Sequence, residues 1–401
     1  MTQPPRLSIA MVGTRGVPAR YGGFETCVEE VGRRLAARGH RVVVYCRQTA
    51  GEEPQLRRHE GMDLVHLPAL PRRSLETLSH TALSVAHLAR HRTDVALVFN
   101  AANAPTLPLV RARGIPVATH VDGLEWLRSK WGSVGKRYYR AAEALAVRWS
   151  DAVIADAPGI ARYYRSEFGA SSALISYGAP IIEPGHGRLA ELGLEPRGYH
   201  LVVARFEPEN HVHVIVRGYR RSAARLPLVV VGSAPYSDRY TAYLHSLGDD
   251  RVRFLGGVWD SELLDQLYAG CYSYVHGHSV GGTNPSLLRA IGAGAPTLAF
   301  DVGFNRDVLQ DAGRYFTTSA DVSAAIERSE QDRTGQQARG VMLRERAQSY
   351  RWDDVADSYE ELCRRLVTGP ASPRPSGRRR RPGTRGAASQ LPDDPHVVAT
   401  A

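Results

Sequence analysis

Short β-branched runs alternate with amphipathic stretches from near the start of the chain. LSIAMV (7–12), RVVVY (41–45), DLVHL (63–67), VALVF (95–99), PVAT (116–119) and AVIA (152–155) read as strands. Between them apolar residues recur every three or four positions, as Val28, Val31 and Leu35 do, which predicts helices over 25–38, 74–92, 136–149 and 157–168. Apolar strands separated by helices form a parallel sheet covered on both faces. The series breaks at EPGHGRLAELGLEPRG (183–198), then restarts with HLVVA (200–204), LVVVG (228–232), VRFL (252–255), YSYV (272–275) and TLAF (297–300). A last helix is predicted over 353–366, where Val355, Tyr359, Leu362 and Leu366 share a face. Two α/β units joined by one linker face each other across a cleft, and ligands in such sheets bind beyond the carboxyl ends of the strands.

Length agrees with two units: 401 residues exceed one ordinary core. The composition, 43% hydrophobic and 23% charged, is that of a soluble globular protein. MTQPPRLSIAMVG lacks the charged and apolar regions of a signal peptide, and no apolar stretch approaches the roughly 18 residues that span a bilayer, so a cytoplasmic protein is expected. Cys27, Cys46, Cys271 and Cys363 lie far apart with no paired spacing, which argues for four reduced thiols and against a zinc site. Of the formal charge of +10, the segment from Pro370 contributes six Arg against two Asp, so the body is only mildly basic. That Pro-, Gly-, Ser- and Arg-rich tail is expected to be disordered, with Arg378 to Arg381 either solvated or touching an anionic surface. Without an aromatic and basic strand platform, nucleic-acid binding is not expected.

Four loops that follow strands carry candidate chemistry. GTRGVPARYGGFET (13–26) departs from the dinucleotide fingerprint, and Cys46-Arg47 replaces the acidic residue an NAD site would want, which disfavours an oxidoreductase. Gly22 and Gly23 at a helix entrance suit a phosphate drawn to free N–H groups, or else a plain turn. VDGLEWLRSKWGS (121–133) offers Asp122 and Glu125 beside two tryptophans, for sugar hydroxyls or for helix capping by Asp122. ARFEPENH (204–211) places Arg205 to grip a pyrophosphate, with Glu207, Glu209 and Asn210 as hydroxyl or capping partners. HSVGGTNPSLLRAIGAGAP (278–296) runs Gly281 and Gly282 into Thr283, Asn284 and Pro285, the pattern of a capped helix start and an anion site.

Together these loops resemble the bacterial family 4 glycosyltransferases, and more narrowly the group that includes capsular and cell-wall rhamnosyltransferases, over about residues 5–368. The resemblance implies an α/β GT-B fold: a Rossmann-like acceptor-side domain (1–182), a linker (183–198), a Rossmann-like nucleotide-sugar domain (199–350), a helix crossing back to the first domain (351–368) and a tail outside the family (369–401). It implies that Gly22, Gly23 and Arg205 face the donor diphosphate, that Gly281, Gly282, Thr283 and Asn284 bind it at the helix end, and that Glu207 and Asn210 flank it. His120, Asp122 and Glu125 fall where catalytic, acceptor and sugar contacts are expected. It further implies a retaining transfer of a hexose or deoxyhexose, rhamnose among the candidates, from a nucleotide-diphosphate sugar used as co-substrate, with no cofactor and no bound metal. The acceptor would be lipid-linked or a polysaccharide, at the inner face of the plasma membrane.

Two positions depart from the wider family pattern of glutamates eight positions apart: Gly281, usual for the subgroup, and Arg289, which is not. Asn210 replaces a lysine, again as in the subgroup. Arg289 therefore leaves open a degenerate GT-B protein that binds a partner or nucleotide without transfer, and an epimerase on the same fold also stays open. Arg33, Arg34, Arg72, Arg73, Lys136 and Arg137 in the first domain are candidates for peripheral contact with an anionic membrane face.

Overall fold

The computed structural model describes residues 5–19, 22–48, 56–70, 76–121, 123–183, 185, 187–233 and 238–369. Asp122, Arg72, Arg73 and the tail from Pro370 lie outside them.

In the first unit β1 (Ser8–Val12) leads to α1 (Gly23–Ala37), then β2 (Arg41–Gln48), β3 (Arg58–His59), β4 (Met62–Pro68) and α2 (Glu76–Arg90). Next come β5 (Val95–Phe99), α3 (Leu107–Ala112), β6 (Val117–His120), α4 (Ser133–Trp149), β7 (Ala152–Ala155), α5 (Pro158–Phe168) and β8 (Ala173–Leu174). The eight strands form one sheet in the order β3-β4-β2-β1-β5-β6-β7-β8, parallel except for the small β3–β4 hairpin.

The second unit runs β9 (His200–Val203), α6 (Val212–Arg221), β10 (Leu228–Val231), α7 (Asp238–Leu247), β11 (Val252–Gly256), α8 (Ser261–Gly270) and β12 (Ser273–His276). It continues with α9 (Pro285–Gly292), β13 (Thr297–Phe300), α10 (Gly303–Leu309), β14 (Arg314–Phe316), α11 (Ser319–Gln331), α12 (Arg333–Ala347) and α13 (Trp352–Thr368). Its parallel sheet has the order β11-β10-β9-β12-β13-β14. The chain is thus a two-domain α/β protein with parallel sheets.

Strand order locates the functional crevices. The order reverses direction between β1 and β5 in the first sheet and between β9 and β12 in the second, so the loops after β1, β9 and β12 flank the two switch points. The strands earn their burial by composition: every residue of VALVF and TLAF is buried, as interior parallel strands require.

One apolar cluster joins the domains. It runs from Ile9, Met11, Val28 and Val31 through Tyr177 and Ile182 to Leu201, Leu287 and the inner face of α13. Val355, Tyr359 and Leu362 are buried there, and Leu366 packs at its edge, as their spacing predicts. α13 returns to the first domain and lies on α1. Arg34 Nε donates to Asp353 at 2.8 Å, Arg38 pairs with Asp357 at 2.7 Å and Glu360 at 2.9 Å, and Tyr359 Oη lies 3.6 Å from Cys27 Sγ. All four cysteines are buried and free.

Candidate functional site

Gly22, immediately before α1, adopts φ 106° and ψ 153°, a region where only glycine is at ease, and no side chain caps the first turn that follows. A Cβ on the next residue, Gly23, would lie 3.0 Å from Pro285 Cγ. Pro285 opens α9, so the N-termini of α1 and α9, from opposite domains, abut. Each brings the positive end of a helix dipole to the same spot. Such a junction favours an anion between the helices.

The loop after β12 is anchored from both sides. Thr283 Oγ1 donates to the Asp156 carbonyl at 2.6 Å, and a Cβ on Gly282 would strike the Asp156 carboxylate. Asn284 caps α9, its Oδ1 accepting from Ser286 N at 3.0 Å and Ser286 Oγ at 2.7 Å. Gly281 takes φ 138°, and its backbone occupies the space that a Cβ on Gly123 of the first domain would need. Sequence reasoning proposed Gly281 to Asn284 but missed Asp156. The residue directly follows β7, so the strand-end rule was the available signal.

The loop after β6 contributes charge. The Glu125 carboxylate is buried and accepts from Arg128 Nε at 2.5 Å, Lys130 Nζ at 2.8 Å and Trp131 Nε1 at 3.2 Å. Burial alone would push its pKa up, but Arg128 and Lys130 outweigh it and hold the carboxyl below its ordinary range. Glu125 is therefore an ionised anchor for the loop. Arg128 reaches on across the cleft, with Nη1 3.2 Å from Glu207 Oε2 and 3.7 Å from Glu209 Oε1. Ser129 Oγ donates to Glu209 Oε2 at 2.8 Å.

In the loop after β9, Arg205 Nη2 stands 3.5 Å from the same Glu207 oxygen. Asn210 is buried and structural on one side, Nδ2 donating to the Arg205 carbonyl at 2.9 Å, while its Oδ1 has no partner. Ser279 N and Oγ both donate to the Glu209 carbonyl at 3.0 Å, which ties this loop to the one after β12. His278, buried beside them, is pushed well below the ordinary histidine range by burial, with stacked His276, then Arg205 and Arg128, adding to it. Four loops thus meet at one place.

Two candidates sit differently from the rest. His120 is buried among Phe24, Phe99 and Tyr177, and its Nδ1 shares a 2.7 Å hydrogen bond with Tyr359 Oη of α13. Burial lowers its pKa to about 3, so it is neutral, and its Nε2 has no partner. Arg289 is turned to α8: Nε donates to Asp265 Oδ1 at 2.6 Å and Nη2 to the Ser261 carbonyl at 3.2 Å. Asp122 lies outside the described residues.

Comparisons with known proteins agree with this fold. Residues 22–178 match the glycosyl transferase 4-like domain and residues 190–346 match glycosyl transferases group 1. The chain carries the two domains of a GT-B glycosyltransferase. A sucrose-phosphate synthase of Thermosynechococcus elongatus shares its fold with a TM-score of 0.79 at 20% identity, covering 91% of this chain and 100% of that one. Anabaena HepE in complex with UDP-glucose matches with a TM-score of 0.72 at 17% identity, covering 89% of this chain and 99% of that one. Among curated proteins, the O-antigen chain mannosyltransferase B of Escherichia coli is 27% identical over 123 residues, 29% of this chain. The chain spans only 24% and 32% of the length of the curated relatives it matches.

Of the donor-side candidates, Gly23, next to Gly22, meets Pro285, which follows Gly281 to Asn284, while Arg205, Glu207 and Asn210 share the loop after β9, which Ser279 ties to the loop after β12. Arg289 stands one turn along α9, and His120 lies behind the first-domain loops. No helix among the described residues is long and apolar enough to cross a membrane. Among the described residues, no group of three or more His, Cys, Asp or Glu is arranged to hold a metal ion.

Proposed function

We propose that the chain transfers a hexose or deoxyhexose, rhamnose among the candidates, from a nucleotide-diphosphate sugar to a lipid-linked or polysaccharide acceptor, with retention of configuration. The observation that carries this is the junction of α1 and α9, where two helix N-termini meet between two sheets' switch points. Arg205 and the helix dipoles would offset the charge of the departing nucleoside diphosphate, the task a divalent ion performs elsewhere. Such preorganised donors act where charge develops and need little reorganisation. Glu125 would hold the first-domain loop against the sugar, and neutral His120 would shape the floor beneath it. HepE with UDP-glucose and the O-antigen mannosyltransferase support a nucleotide-sugar donor and a saccharide acceptor.

Attachment at the cytoplasmic membrane face belongs to the same proposal, with a narrower basic surface. Arg33 and Arg34 are paired with Glu30, and Arg34 also with Asp353. Lys136 and Arg137, beside exposed Val134 at the start of α4, remain turned to solvent.

The test is a panel of nucleotide sugars scored for binding and turnover with saccharide and polyprenyl-phosphate acceptors. Turnover with one donor and an axial or equatorial product matching the donor supports the reading; absence of any donor binding sinks it. A second reading, a GT-B protein that binds a nucleotide without transfer, rests on Arg289 being tied to Asp265 in place of a carboxylate at that position. Donor binding without turnover across the panel would favour it.

A further inference from the structure

Arg128 of the first domain and Arg205 of the second converge on a single oxygen. Glu207 Oε2 lies 3.2 Å from Arg128 Nη1 and 3.5 Å from Arg205 Nη2. We propose that Arg128 is a second arginine ligand for the donor's phosphates, supplied across the cleft, and that the Glu207 carboxylate is an internal anion that holds the place until the phosphates displace it. The proposal rests on the nucleotide-sugar reading above and adds a residue and an exchange to it.

Among the described residues three carboxylates pair with Arg128, and they are not equivalent. Glu125 is buried and also held by Lys130 and Trp131, and Glu209 is buried and also held by Ser129. Glu207 is more open, with its side chain 23% exposed, and its carboxylate has only the two arginines as partners among the described residues. Of these three it is the acid that can swing to water without stranding another group. When it leaves, two guanidinium groups remain facing one point, beside the loop that leads from β12 to α9. That arrangement suits a diphosphate, whose oxygens accept several charge-assisted hydrogen bonds at once.

The position of the cluster supports the same exchange. His278, in the loop that leads to Gly281 and Gly282, lies within the field of both Arg205 and Arg128. The Gly123 backbone, in the same loop as Arg128, packs on Gly281. Arg128 is therefore fixed beside the proposed phosphate site by its own loop, with Glu125 and Lys130 behind it. Because it belongs to the other domain, a donor bound on the second domain would draw the first domain onto itself through Arg128.

The experiment is calorimetric titration of the full chain with UDP, dTDP, GDP and inorganic pyrophosphate, comparing wild type, Glu207→Gln, Arg128→Met and the double variant, each checked for its unfolding temperature. Glu207→Gln removes the internal competitor and should tighten binding of the preferred diphosphate about threefold to tenfold, while Arg128→Met weakens it about tenfold or more. In the double variant the gain from Glu207→Gln should vanish, because the arginine it freed is gone. Weaker or unchanged binding by Glu207→Gln overturns the proposal, as does a gain that persists fully without Arg128. If Arg128→Met fails to fold, the Glu207→Gln titration and its loss of gain in Arg128→Lys decide. Wild type binding none of the four probes would sink the donor reading itself; wild-type binding with the wrong variant pattern would sink only the role of Arg128 and Glu207.

Discussion

Arg289 Nε donates to Asp265 Oδ1 at 2.6 Å, pinning α9 to α8. The two side chains are 27% and 32% exposed, so solvent screens the pair and its contribution is on the order of 1 kcal/mol or less. A glutamate at 289 would face Asp265 as a like charge. Arg289→Glu alone is therefore expected to lower the unfolding temperature by a few degrees and to weaken donor turnover. Arg289→Glu combined with Asp265→Arg should recover most of the stability. A large rise in transfer by the single variant would instead mark Arg289 as a degenerate position.

Gly123 predicts a steric effect at the cleft. A Cβ there collides with the Gly281 backbone, which cannot yield as a flexible side chain would. Gly123→Ala should cost about 1–3 kcal/mol by overpacking and reduce sugar transfer more than tenfold. Urea unfolding and steady-state kinetics measure the two parts. Unchanged kinetics would show that the two loops separate in the working enzyme.

Tyr359 ties the returning helix to the first-domain site through His120 Nδ1 at 2.7 Å. Tyr359→Phe leaves a buried ring nitrogen without its partner and is expected to cost about 1–3 kcal/mol. Denaturant midpoints at constant slope check it. A loss well under that range would mean the hydroxyl is readily replaced, for example by water.

Acid should destabilise the protein before its carboxylates titrate. Burial depresses His80 to about 4 and His120 and His276 to about 3, against 6.5 for an ordinary histidine. Below pH 6.5 the unfolded chain binds protons at these three sites and the folded chain does not. Stability therefore falls as pH drops from 6.5 towards 4, by up to about 1.4 kcal/mol per pH unit for each histidine, and is fully present above that window. Glu360, lowered to about 2 because Arg364, Arg38 and His40 outweigh its burial, adds a further loss below 4.5. Urea midpoints from pH 7 to 4 test this, and a flat profile would contradict it.

Much of the scaffold was legible in the chain. The runs LSIAMV, VALVF and TLAF became β1, β5 and β13 because uninterrupted β-branched and apolar residues have one stable home, the middle of a parallel sheet. The α13 face was equally readable from the spacing of Val355, Tyr359 and Leu362. The short β14 strand RYF and the two-residue strands β3 and β8 escaped notice, since three-residue and two-residue strands have no period to detect. The glycines and the Asn284-Pro285 cap announced a helix end and an anion site from local chemistry alone.

Local chemistry alone determines backbone freedom, caps and apolar faces, because each depends on neighbours a few positions away. It could not show that Gly23 meets Pro285, that Thr283 bonds Asp156, or that Glu207 sits between Arg128 and Arg205. Gly23 and Pro285, Thr283 and Asp156, and Glu207 and Arg128 are separated by 79 to 262 positions in the chain, and only the packing of one switch point against the other selects them from all possible charges and glycines. The pairing of Arg289 with Asp265 is of the same kind: the residue type was visible, and its direction was decided by α8.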